Sequence, residues 1–160
     1  MLSIACAKYI SDAADEIVNG YNVIKHAAQI ASLRIDAPHD VDSVNNALRD
    51  AERGRACIAN GVDNIIHNFG RIDVHRDDVD ICSATIVDTA RFICDELEAA
   101  INSVDDDSFH VHLTFANDIV VKLFDVVVDY RNFVIRIAKD NIALALKAAR
   151  ARSTPSLLRL

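Results

Sequence analysis

The chain has 160 residues, enough for a single domain that buries roughly 68–70% of its unfolded surface without help from disulfides or metals. It is 51% apolar and 26% charged with no Trp, so the core has to be built mainly from Ile, Val, Leu and Ala. A net charge of −7, with twenty Asp among its 24 acids, speaks against nucleic acid or an anionic membrane surface as the partner.

The first apolar periodicity runs from about Leu2 to Leu33. Cys6, Ile10, Ala14, Ile17, Tyr21, Ile24, Ala28 and Ala31 recur in steps of three and four, which is the signature of an amphipathic helix. Gly20 sits inside this segment at a cost of ~1 kcal/mol relative to Ala. Asp36-Ala37-Pro38 ends it, because proline disfavours helix in the residue before it.

The second segment spans about Val41 to Phe69, with its seam at Val41, Val44, Leu48, Ala51, Ile58, Val62, Ile65 and Phe69. Asp40 or Asp42 can cap its start and Gly70 its end. Arg55 falls on the seam and is flanked by Gly54 and Gly61. Small residues there admit a close neighbour or a bend, while the Arg55 stem can carry its charge outward. The third segment spans about Asp78 to Val104, with a seam at Val79, Cys82, Ile86, Ala90, Ile93, Leu97, Ala100 and Val104. Asp77 and Asp78 supply a cap and the right charge for the helix dipole.

The fourth segment starts near Ala116 or Asn117 and continues to Ser153, where Thr154-Pro155 stops it. Four long helices joined by short connections predict an all-α, antiparallel up-down four-helix bundle over residues 1–153, followed by a C-terminal tail over 154–160. The fourth helix differs from the other three. Its polar positions form a thin stripe of Lys122, Asp125, Asp129, Asn132 and Arg136, and nearly everything else from Ile119 to Ile137 is apolar. A bundle seam needs a stripe only a little over ~100° wide. Two explanations fit: a central helix wrapped by the others, or a helix with one face left for another chain or an apolar ligand.

Between the third and fourth helices lies VDDDSFHVHLTF, Val104 to Phe115. Its His110 and His112 alternate with apolar residues as in a strand, yet no partner strand is evident. An up-down bundle brings the first and third connections to one end, which collects six carboxylates with His39, His110 and His112. That is a candidate zinc or hard-cation neighbourhood, with His39, Asp106, Asp107, His110 and His112 as ligands. The competing explanation is capping aspartates and a solvated turn. On a helix, His110 and His112 would point about 200° apart and could not share an ion.

Cys6, Cys57, Cys82 and Cys94 match no CxxC or zinc-knuckle spacing and sit at helical apolar positions, as small hydrophobes in a reducing compartment do. Two disulfides are the alternative. No P-loop, dinucleotide glycine motif, GxSxG or HExxH is present, and no Glu is followed by His three residues later, as the di-iron bundles require. The first residues, MLSIACAK, lack the basic start of a signal peptide, and no segment has the run of roughly 18 apolar residues that spans a membrane. The expectation is therefore a cytoplasmic or otherwise intracellular, non-enzymatic bundle. It binds protein as a homo-oligomer or as part of a larger complex, through Val121, Phe124, Val128 and Ile135 on the fourth helix. No cofactor is expected; the alternatives are a hydrophobic ligand held between the helices and a divalent cation at the Asp/His end.

Overall fold

The computed structural model describes residues 4–33, 41–69 and 76–158. They form four helices, α1 (Ile4–Ser32), α2 (Val41–Phe69), α3 (Arg76–Ile101) and α4 (Asp106–Leu158), with no strand among the described residues. Each helix packs against its neighbours in sequence, and α4 returns beside α1 to close the ring. The result is the antiparallel four-helix bundle that the periodicity predicts.

A seven-residue repeat runs through the core of every helix. In α1 it is Ile10, Ile17, Ile24 and Ala31; in α2 it is Val44, Ala51, Ile58 and Ile65. The corresponding series are Val79, Ile86, Ile93 and Ala100 in α3, and Phe109, Ala116, Leu123 and Tyr130 in α4. A repeat of 3.5 residues per turn keeps the apolar seam facing its partners only if the helices wind around one another with a left-handed twist. Most of the predicted seam is buried. At two positions in α3 the structure departs from it: Ser83 rather than Cys82 points inward, and Val104 lies fully exposed in the turn after the helix.

The two faces of α2 explain its glycines. A Cβ on Gly54 would lie 2.6 Å from the Gly20 carbonyl oxygen, and one on Gly61 would lie 2.8 Å from that of Ala13. These residues are small because the α1 backbone passes there. Arg55 is half-buried, and its guanidinium bonds Glu52 at 2.9 Å on the same helix. Asn60 reaches across to Glu16 of α1 at 2.8 Å.

α4 corrects the expectation at both ends. It begins at Asp106, ten residues earlier than the alternation in FHVHLTF indicates. Asp105 is the cap: its carboxylate accepts a hydrogen bond from the Ser108 backbone N–H at 2.7 Å, and its carbonyl accepts the first helical bond from Phe109. Asp106 and Asp107 then occupy the first turn, where negative charge meets the positive end of the helix dipole. Phe109, Leu113 and Ala116 point into the core, while Val111 and Phe115 point out. Those two outward apolar residues produce the strand-like alternation. At its other end the helix continues past Pro155 to Leu158. The Ala151 carbonyl, which the proline deprives of a partner, lies on an exposed stretch where water can replace it.

Nor is α4 a central helix. It takes one place in a ring of four, flanked by α1 and α3, so its extra apolar residues remain at the surface. At 53 residues it is about 80 Å long, twice the ~39–44 Å of the others, and no residue from Lys139 to Arg152 is fully buried.

Candidate interaction surface

Val121, Phe124, Val128 and Ile135 all lie on the side of α4 that borders α1. Val121, Val128 and Ile135 follow one another at intervals of seven residues and Phe124 is three after Val121, so the four form one line along a helix in a left-handed bundle. Val121 is 65% exposed, Phe124 50% and Val128 37%. Ile135 is half-buried against the core.

The α1 side of this line is defined by Tyr21. Its ring packs at 49° against Phe124 with centroids 5.7 Å apart, a tilted arrangement that aromatic pairs favour. Burial, and after it the charge of Asp125, push the Tyr21 phenol up from its ordinary value of 10.0. A shallow groove of about 320 Å³ opens there between Tyr21, Lys25 and Gln29 on α1 and Val120, Val121 and Phe124 on α4. Further along, Arg131 reaches toward Asp15 across the groove at 3.8 Å. Beyond that ion pair, a second recess of about 310 Å³ lies between Ala7 and Ile10 on α1 and Ile135, Ala138 and Ile142 on α4, with Lys8 and Lys139 also lining it. Val121 and Phe124 thus line the first recess and Ile135 the second, with Val128 between them on the same line of α4. Sequence reasoning missed the α1 side, because Tyr21 also satisfies the α1 seam and nothing in one helix shows which neighbour it meets.

The Asp/His end is arranged differently from its sequence expectation. His39 lies outside the described residues. Asp106 and Asp107 are exposed in the first turn of α4. Because this segment is helical, His110 and His112 leave the axis in nearly opposite directions. His110 is half-buried with its ring 5.8 Å from that of Phe109, and its Nε2 is buried with no hydrogen-bond partner. His112 turns to α3, where its Nδ1 lies 2.6 Å from a Glu96 carboxylate oxygen. An ionised carboxylate only accepts, so Nδ1 carries the proton. The pair clamps α3 to α4 just below their short connection. Among the described residues, no group of three or more His, Cys, Asp or Glu is placed to hold a metal ion.

Cys94 is buried and the other three cysteines are half-buried; none of the four is in a disulfide. Burial, followed by the charge of Glu52, pushes the Cys94 thiol up to about 12, which leaves it protonated and a poor nucleophile. Tyr130 is the largest fully buried side chain. Its hydroxyl shares a 2.8 Å hydrogen bond with Ser83, and burial pushes its phenol up to about 12.

Among the described residues, no helix is long and apolar enough to cross a membrane. No protein-family model matches the chain, and no curated protein or solved structure shows significant similarity to it.

Proposed function

We propose that the chain is a non-enzymatic protein-interaction bundle that self-associates or joins a larger assembly through the α4 face bearing Val121, Phe124, Val128 and Ile135. One observation carries this reading. The core is already filled by a complete seven-residue repeat, yet a second line of large apolar side chains lies exposed beside it. Apolar residues scattered singly on a surface need no explanation, but a continuous line of them flanked by polar residues is what a contact surface looks like.

The test is Val128→Asp in the full chain. Val128 is not part of the buried core, so the variant should fold and melt within about 0.5 kcal/mol of the parent while losing, at high salt, the partner copy held through this face, read by native mass spectrometry from concentrated ammonium acetate. An unchanged assembly in the folded variant would refute this face as the contact.

The apolar recess beside Ile135 and Ile142 supports a second reading, a carrier of a hydrophobic small molecule. It predicts that freshly purified protein carries an organic mass that denaturation releases.

A further inference from the structure

α4 divides the chain into two unlike electrostatic parts. Residues 1–138 hold twelve basic and 23 acidic side chains and carry −11. Residues 139–160 hold five basic and one acidic and carry +4. Most of the second part is the stretch of α4 that leaves the bundle: Lys139 and Ile142 still line the recess beside α1, and about 24 Å of helix follows from Ala143 to Leu158.

This overhang keeps the packing register of the bundle. The series Leu123, Tyr130 and Ile137, buried against the other helices, continues at the same interval to Leu144 and Ala151. Leu144 is nevertheless 61% exposed. Beyond Ile142 the helix presents an exposed apolar seam, Leu144 with Lys147 and Arg152 beside it.

A complementary surface exists on α3. From Asp77 to Glu98 that helix carries seven acids against the single base Arg91. Its outer side displays Asp77, Asp80, Asp95 and Glu98. Within this acidic face stand two exposed apolar anchors, Ile81 at 65% and Phe92. α3 is about 39 Å long, so the overhang matches most of its length. Because α4 runs antiparallel to α3, as the Ser83–Tyr130 and Glu96–His112 contacts together show, the overhang leaves the bundle at the end where α3 begins.

We infer that the occupant is a second copy of this chain. Two copies lie with their overhangs antiparallel, and the basic overhang of each runs back along the acidic outer face of α3 in the other. Leu144 meets the Ile81 and Phe92 side, and Lys147 and Arg152, which flank it on the same side of the helix, meet the carboxylates. The contact is reciprocal, so it closes at a dimer rather than growing into a filament. An anionic lipid surface or a nucleic acid fits less well, since the −11 part of the molecule stands at the root of the overhang. This contact is separate from the groove beside α1, and either can fail without the other.

The test is a charge exchange in the full-length chain, read by sedimentation equilibrium at ~50 mM and ~500 mM salt. The overhang variant is K147E/R152E and the α3 variant is D80K/D95K. All four positions are exposed, and unchanged thermal melting confirms that each variant is folded. Each variant alone should weaken self-association about tenfold or more at low salt. Mixing the two should restore it, because each altered surface then faces its opposite charge. The wild-type contact should weaken at high salt, whereas association through Val128 should not, and V128D should leave the salt-sensitive contact in place. A wild type that is monomeric at low salt overturns the proposal. So does a dimer indifferent to both variants, or folded variants that fail to recover on mixing. Monomeric wild type that co-sediments with phosphatidylcholine/phosphatidylserine vesicles, and loses this in K147E/R152E, would make the overhang a membrane-surface helix instead.

Discussion

The two hairpins of the bundle solve the same packing problem in opposite ways. Where α1 meets α2, small residues face one another at matched heights: Gly20 opposite Gly54 and Ala13 opposite Gly61. The two backbones come so close that a single methyl group on either glycine would collide with a carbonyl oxygen. Where α3 meets α4, the buried positions carry Ile86, Ile93, Leu97, Phe109, Leu123 and Tyr130. Side chains keep those helices apart, and one buried hydrogen bond is set among them. The same seven-residue repeat thus supports backbone-to-backbone contact on one side and interdigitated side chains on the other. The first arrangement has no room for added volume, and the second has nothing to fill a gap if volume is lost.

The sharpest way to break the contrast is to remove volume from the second hairpin. Tyr130→Ala should destabilise by about 4 kcal/mol, from the lost apolar burial and the cavity left behind, measured by urea denaturation. Adding volume to the first hairpin should cost nearly as much. Gly54→Val should destabilise by about 3 kcal/mol, because the atoms in its way are the Gly20 carbonyl and the Ile24 side chain and backbone. If Gly54→Val were neutral, the close approach of α1 and α2 would be disproved. A gentler change separates shape from polarity: Tyr130→Phe keeps the ring but strands the Ser83 hydroxyl, and should cost about 1 kcal/mol.

Alkaline pH extends the comparison, since α3 and α4 bury Cys94 and Tyr130, whereas Tyr21, a buried titratable group of α1, packs against Phe124 of α4. Cys94 is raised from 9.0 and Tyr130 from 10.0, both to about 12. Each is raised in the fold because burial favours its neutral form. The stability it confers is complete below the unfolded value and lost as pH climbs toward the folded one. Melting temperature should therefore begin to fall above pH 9 and keep falling toward pH 12. Cys94→Ala should make the fall between pH 9 and 10 shallower without abolishing it, because burial, and after it the charges of Asp78 and Asp129, also raise the Cys82 thiol from 9.0. A fall of unchanged slope would show that Cys94 is not kept neutral by the fold.

Much of this architecture is legible in the sequence. The seams of α1 and α2 are read almost residue for residue, because an amphipathic helix records its buried face in steps of three and four. The start of α4 is not legible in this way. Val111 and Phe115 are apolar but face outward, and with Phe109 and Leu113 they imitate a strand. Only Asp105, three residues before Ser108, hints at the cap that the structure displays. The candidate surface is half legible: the surplus of apolar residues on α4 marks Val121, Phe124 and Val128, but not the α1 groove that receives them. The Glu96–His112 pair is not legible in the sequence, because it depends on which α3 residue stands at the height of His112 across the turn.

The sequence by itself determined the number of helices, their approximate bounds in the first three cases and the apolar character of the fourth. These are consequences of local periodicity, which a single chain carries within each segment. It took the tertiary fold to decide that Gly20 and Gly54 sit against each other, that Tyr130 and Ser83 share a bond in the core, and that α4 runs on to Leu158 past Ile142, the last residue lining the recess beside α1. Those facts depend on the relative height of two helices. A seven-residue repeat leaves that height open to whole-repeat shifts, and it is settled only when small residues, large residues and polar pairs all find their partners at once.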